Sequence, residues 1–131
     1  MTLGGFDSRG YGIVYKLDPT GNLTVLHNFM AGSDGEYPNS LVMDAAGNLY
    51  GVTMGGGTGA GCYYGGCGTV FKLDTHGTKT ILHNFTGKDG QLPNSLTMDR
   101  VGNLYGTTLG GGKGNDCSYY KGCGTVFKLS R

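Results

Sequence analysis

Tryptophan is absent from this chain of 131 residues, and glutamate occurs once, as Glu36. The formal net charge is +1, so the basic stripe that marks a nucleic-acid partner is missing. No run approaches the roughly 18 apolar residues of a membrane span. No G-x-S-x-G is present to place a nucleophilic serine. No 3.6-residue apolar period runs along any segment, which excludes amphipathic helices as the main element. The opening "MTLGGFDSRG" has neither a charged start nor an apolar run and does not read as a signal peptide.

What the chain has in excess is glycine, at 28 positions. Disordered glycine-rich chains are usually strongly charged and poor in aromatics. Here Tyr and Phe together supply 14 residues, so many tight turns between strands fit better. Four cysteines fall in two close pairs, Cys62/Cys67 and Cys117/Cys123. Pairs recurring at matched places suggest disulfides and an oxidising compartment. With no signal in view, the expectation is a fragment or mature segment of something longer.

Sliding the sequence over itself exposes a repeat. The stretch "GNLTVLHNF…PNSLVMDAAGNLYGVTMGGG" from Gly21 matches "GTKTILHNF…PNSLTMDRVGNLYGTTLGGG" from Gly77. His27 and His83 lie 56 positions apart, and Val14, Val70 and Val126 step by the same interval. Asp44 and Asp99, like Tyr50 and Tyr105, are 55 apart, with the slippage confined to loops. Each repeat divides into four short β segments: "NSLVMD", "LYGVTM", "TVFKLD" and "KTILHNF" in the central copy. Between them D-x-x-G-[NT] recurs at Asp18–Gly21, Asp44–Gly47, Asp74–Gly77 and Asp99–Gly102. Asp opens a type I turn by accepting nearby amides, and Gly takes the left-handed position that returns the chain as a hairpin.

Apolar residues on both faces of several strands suggest a sheet packed between similar sheets. Antiparallel four-stranded units stacked face to face are propeller blades. The expected fold is all-β and propeller-like: two four-stranded antiparallel blades plus an extra strand, open unless oligomerisation completes the ring. The chain is cut out of phase. It starts near the end of a second blade strand, so that 1–36 is a partial blade (third and fourth strands), 37–92 a full blade, and 93–131 a partial blade lacking its fourth strand. Such a set leaves three forms open: a piece of a longer array, a ring completed by identical subunits, or a linear stack.

The pattern "GTVFKL…G…T.LHNF.G.DG..PNSL.MD..GNLYGTT..GG" resembles the GloVer tandem repeat of bacterial secreted or surface proteins. The resemblance covers nearly the whole chain. It implies propeller-like blades similar to NHL-type units, in an extracellular protein held at the cell surface by a separate anchor that this chain does not display. It supplies no catalytic residues and no cofactor.

The candidate site residues each have a structural rival. The cysteine spacers lack the two-residue gap of zinc motifs, so disulfides are favoured over metal or free thiols. His27 and His83 read as half-buried residues bonding a neighbouring strand or loop, and His76 as a solvated turn residue. Asp34 and Asp89, in "SDGEYPNS" and "KDGQLPNS", offer too few oxygens for calcium. They read as a turn before a proline that starts the next strand. Lys113 is followed by glycine, with no helix after it, so the glycine loops are no phosphate cradle. Tyr63, Tyr64, Tyr119 and Tyr120 offer stacking faces for a sugar or a protein surface. Sialidase-type propellers carry a tryptophan in their Asp-box turns, and glycoside cleavage needs two facing carboxylates. Outside the turns only Asp7, Asp34, Glu36, Asp89 and Asp116 are available.

The expectation is therefore a non-catalytic extracellular scaffold or binding module without metal. Its partners are further blades or identical subunits, and a glycan or surface protein; nucleic acid and membrane insertion are not expected. The rivals are a self-assembling ring or fibre subunit and a carbohydrate-active enzyme.

Overall fold

A computed structural model of the chain describes residues 10–115 and 117–131. The strand end expected before Gly10 lies outside them, as do Asp7 and Asp116. Among the described residues nine strands follow one another: β1 (Ile13–Leu17), β2 (Leu23–Asn28), β3 (Glu36–Met43), β4 (Leu49–Gly55), β5 (Thr69–Leu73), β6 (Lys79–Asn84), β7 (Gln91–Met98), β8 (Leu104–Gly110) and β9 (Val126–Leu129). They form three antiparallel sheets, β1–β2, β3–β4–β5–β6 and β7–β8–β9. One sheet, not two, has four strands, because the remaining five are divided between its two neighbours.

The turns explain why strands recur so regularly. Asp18 Oδ1 accepts the amides of Thr20 and Asn22, both at 2.9 Å. Asp44 accepts those of Ala46 and Asn48, Asp74 those of His76 and Thr78, and Asp99 those of Val101 and Asn103. Gly21, Gly47, Gly77 and Gly102 close these turns at φ of 92°, 90°, 84° and 92°, a region that glycine enters without steric cost. Amide donors stabilise the charged carboxylates. The backbone N–H of Asn22 is the main cause holding Asp18 near a pKa of about 2. In the turns before β4 and β8, the Tyr50 and Tyr105 hydroxyls also donate to Asp44 and Asp99, at 3.2 Å each.

Pro38 and Pro93 were expected to start their strands, but both lie inside them, opposite Thr53 and Thr108. The preceding residues, Tyr37 and Leu92, take φ of 56°. That left-handed turn of the backbone swings their amides out of their own ladder and towards the preceding sheet. The Tyr37 N–H donates to Tyr11 O at 2.8 Å, and the Leu92 N–H to Cys67 O at 3.2 Å. Proline, with no N–H to offer, occupies a ladder position that needs none.

The same places bring the sheets close. A Cβ on Gly12 would overlap the Pro38 ring, and one on Gly68 would overlap Pro93. Beside each contact a phenylalanine from one sheet meets one from the next edge-on. Phe29 and Phe71 have centroids 5.4 Å apart, and Phe85 and Phe127 5.1 Å. Phe29, Phe71 and Phe85 are buried, each contributing on the order of 1.5–3 kcal/mol by area alone. Val14, Phe29, Phe71 and Leu73 form the core between the first two sheets; Val52, Val70, Phe85, Leu96 and Leu104 form that between the second and third. Ser40, at a bulge in β3, ties these last two: its Oγ accepts the Leu96 N–H at 3.0 Å. Val14 and Val70, each facing a following sheet, are fully buried, and the equivalent Val126 is 82% exposed, with no sheet over it among the described residues.

Candidate functional site

The loops from β4 to β5 and from β8 to β9 are closed by disulfides, Cys62–Cys67 and Cys117–Cys123, with Cα atoms 5.0 and 5.1 Å apart. Closing loops this short stabilises by roughly 2 kcal/mol each on the chain-entropy estimate. Each loop folds back on its own strand end. Gly56 donates to Tyr64 O at 3.1 Å, and Gly111 to Tyr120 O at 3.2 Å. Gly55 and Gly110 leave the room, since a Cβ at either would strike Tyr64 or Tyr120.

Pinning Tyr64 and Tyr120 in this way turns Tyr63 and Tyr119 outwards, to 63% and 76% exposure. The two loops belong to stacked sheets, so their tyrosines meet. The Tyr63 and Tyr119 rings face each other at 6.5 Å with 30° between planes. Tyr64 stands edge-on to Tyr63, and Tyr120 edge-on to Tyr119, both at 5.0 Å. Lys121 links the loops by donating to Gly61 O at 3.3 Å. Tyr119 beside Tyr63 raises the pKa of the Tyr63 phenol, because ionising one disfavours charge on the other. Tyr37 extends the row, edge-on to Tyr64 at 5.2 Å. Sequence reasoning passed over Tyr37, and the repeat gives no hint of it, since the matched position is Leu92.

Under this shelf lies Glu36, where the next sheet has Gln91. Gln91 Nε2 donates to Tyr120 O. An ionised carboxylate at Glu36 has no proton to offer Tyr64 O, the matched carbonyl, and burial raises its pKa.

The histidines lie near the ends of β2 and β6, each ahead of the loop that leads to the next sheet. His27 Nε2 is 3.2 Å from both oxygens of Asp34, and His83 Nε2 is 2.7 Å from Asp89 Oδ2. Each aspartate also accepts a loop amide, Met30 N–H or Thr86 N–H at 2.8 Å. Both carboxyls are held below the ordinary value although burial opposes it, mainly by Lys79 for Asp34 and by the Thr86 N–H for Asp89. The recurrence of His with Asp six or seven residues later could have revealed these pairs. Lys79 could not be foreseen, because the matched residue in the first copy is Leu23. His76 is exposed in its turn. Asp34, Glu36 and Asp89 thus sit in three separate settings. Among the described residues no three His, Cys, Asp or Glu side chains gather as a metal site.

The Glu36 setting generates a prediction. A pKa raised in the fold means that Glu36 favours folding below its unfolded value and loses that advantage as pH rises through the folded value. Glu36→Gln restores the donor found at Gln91. Urea unfolding at pH 7 is expected to show a gain of about 1 kcal/mol, the worth of one hydrogen bond, disappearing below about pH 4, where the native carboxyl carries its own proton. A loss at pH 7 would contradict this placement.

Among the described residues no helix is long and apolar enough to cross a membrane. A comparison with curated proteins finds no match. The model of the Gloeobacter/Verrucomicrobia repeat matches residues 1–131. Tandem cassettes, D-x-x-G hairpins and paired cysteine loops thus have a common origin: the chain belongs to the Gloeobacter/Verrucomicrobia repeat family.

Proposed function

We propose that the chain is a propeller-type blade module of an extracellular scaffold, binding through its tyrosine rim and catalysing nothing itself. The observation that carries the reading is the facing pair Tyr63 and Tyr119, each more than half exposed and supplied by neighbouring sheets. Exposed rigid rings give large contact area at small entropic cost and can stack on a sugar face or a partner's apolar surface. Two disulfides holding the loops suit an oxidising, extracellular setting. The enzyme reading has less support, because Asp34 and Asp89 are each committed to histidine partners in different loops. The sheets of two, four and three strands, stacked by a repeated contact, favour blades of a propeller over a flat or closed sheet.

Glycans immobilised on an array should be retained by the native chain and lost, by at least about tenfold, with Tyr63→Ala/Tyr119→Ala, a change at exposed side chains that leaves the core intact. Retention unchanged by the double substitution, or no retention of any glycan or surface protein, would remove the rim as the binding site.

A second reading, self-assembly, is favoured by exposed apolar side chains on the first sheet and at the adjoining end of β3. Leu17, Leu23, Val25 and the neighbouring Met43 are 60%, 56%, 44% and 65% exposed. Apolar patches and open strand edges of this kind drive association. Light scattering is expected to show oligomers growing with concentration and suppressed by Leu23→Lys; a monomer throughout would exclude assembly.

A further inference from the structure

The two sheet interfaces share an aromatic–carboxylate corner that is filled in one and open in the other. At the first, Lys79 from β6 lays its ammonium over Phe29 and Phe71, 5.1 and 5.8 Å from their centroids, and pairs with Asp34 Oδ1 at 2.5 Å. The lysine side chain is only 9% exposed, and it covers a carboxylate already shared with His27. Two aromatic faces, a carboxylate and a backbone carbonyl make this a cage for a primary ammonium.

At the second interface the frame is rebuilt from matched residues. Phe85 meets Phe127 edge-on, and Asp89 bonds His83. Here they line an open cavity of about 230 Å³ together with Val70 and Leu129. Asp89 is 41% exposed where Asp34 is 25%, and His83 is 37% exposed where His27 is 21%. Lys128 also lines this cavity, but its ammonium is turned over the Tyr105 ring, 5.6 Å from the centroid, and forms no ion pair with Asp89.

The source of the first lysine shows how the second cage would be served. In the β5–β6 ladder Lys79 stands opposite Leu73, Ile81 opposite Phe71 and His83 opposite Val70. Strand β9 repeats β5, pairs with β8 along one edge, and has no strand along the other among the described residues. An antiparallel strand added there in the same register places its first residue opposite Leu129, facing the cavity.

We infer that this cavity is a lysine-binding site at the β9 edge, whose occupant is the fourth strand of a further copy of the repeat carrying lysine opposite Leu129. The strand supplies ladder hydrogen bonds, and the ammonium supplies selection, because a cation gains from both the Asp89 carboxylate and the two ring faces where a neutral side chain does not. This rests on the repeat-scaffold reading but not on the tyrosine rim.

The test uses the whole chain and a fluorescent peptide of residues 77–87, GTKTILHNFTG. Fluorescence anisotropy is expected to show saturable binding that weakens by about tenfold or more when the peptide carries Lys79→Met. Asp89→Asn in the protein should weaken the native peptide equally and leave the methionine peptide unaffected. Equal binding of the two peptides to the native chain overturns the lysine site while leaving strand addition, and so the scaffold reading, in place. No binding of either overturns the β9 edge as a docking site, and glycan retention by the rim reports separately on the other reading.

Discussion

Close approach of one sheet to the next, at Gly12 against Pro38 and Gly68 against Pro93, is the constraint on which the rest of the structure depends. It requires a residue without a side chain on one sheet and one without an N–H on the other. The residue before each proline must turn its amide across the gap, which is why Tyr37 and Leu92 take a left-handed backbone. That strain costs of order 1 kcal/mol or more per residue and persists because a hydrogen bond and a buried phenylalanine pair form at the same spot. Repeating the contact repeats the spacing, and every matched side chain then recurs one layer on.

The tyrosine rim follows from that translation rather than from any local motif. Each cysteine loop alone presents one outward ring and one pinned ring. Stacking at fixed spacing places Tyr63 and Tyr119 face to face, and the disulfides keep both loops short enough for the rings to stay there. The same translation gives two aromatic–carboxylate cages, one covered by Lys79 and one open. The layers are distinguished where equivalent positions differ: Glu36 against Gln91, Lys79 against Leu23, Tyr37 against Leu92.

This also decides what could be read from the sequence. Strands and hairpins were legible because Asp and Gly at the D-x-x-G positions perform local chemistry, accepting nearby amides and taking positive φ. The cysteine pairs were legible by spacing, and the all-β class by the lack of helical periodicity. The position of Pro38 inside β3 was not, because proline usually marks a boundary and nothing in Tyr37 signals a left-handed backbone. The cage was hidden for a different reason. Lys79 meets Asp34 across 45 positions, and such a contact is defined by stacking alone.

The most direct test compares two alanine substitutions that share a backbone penalty and differ in what they meet. Gly12 and Gly21 have φ of 104° and 92°, but a Cβ at Gly12 runs into the Pro38 ring of the next sheet, while one at Gly21 meets nothing within 4 Å. Chemical denaturation is predicted to show Gly12→Ala less stable than Gly21→Ala by about 2 kcal/mol, the cost of overpacking a close contact. Equal losses for the two variants would contradict the claim that the sheets are held together at this approach.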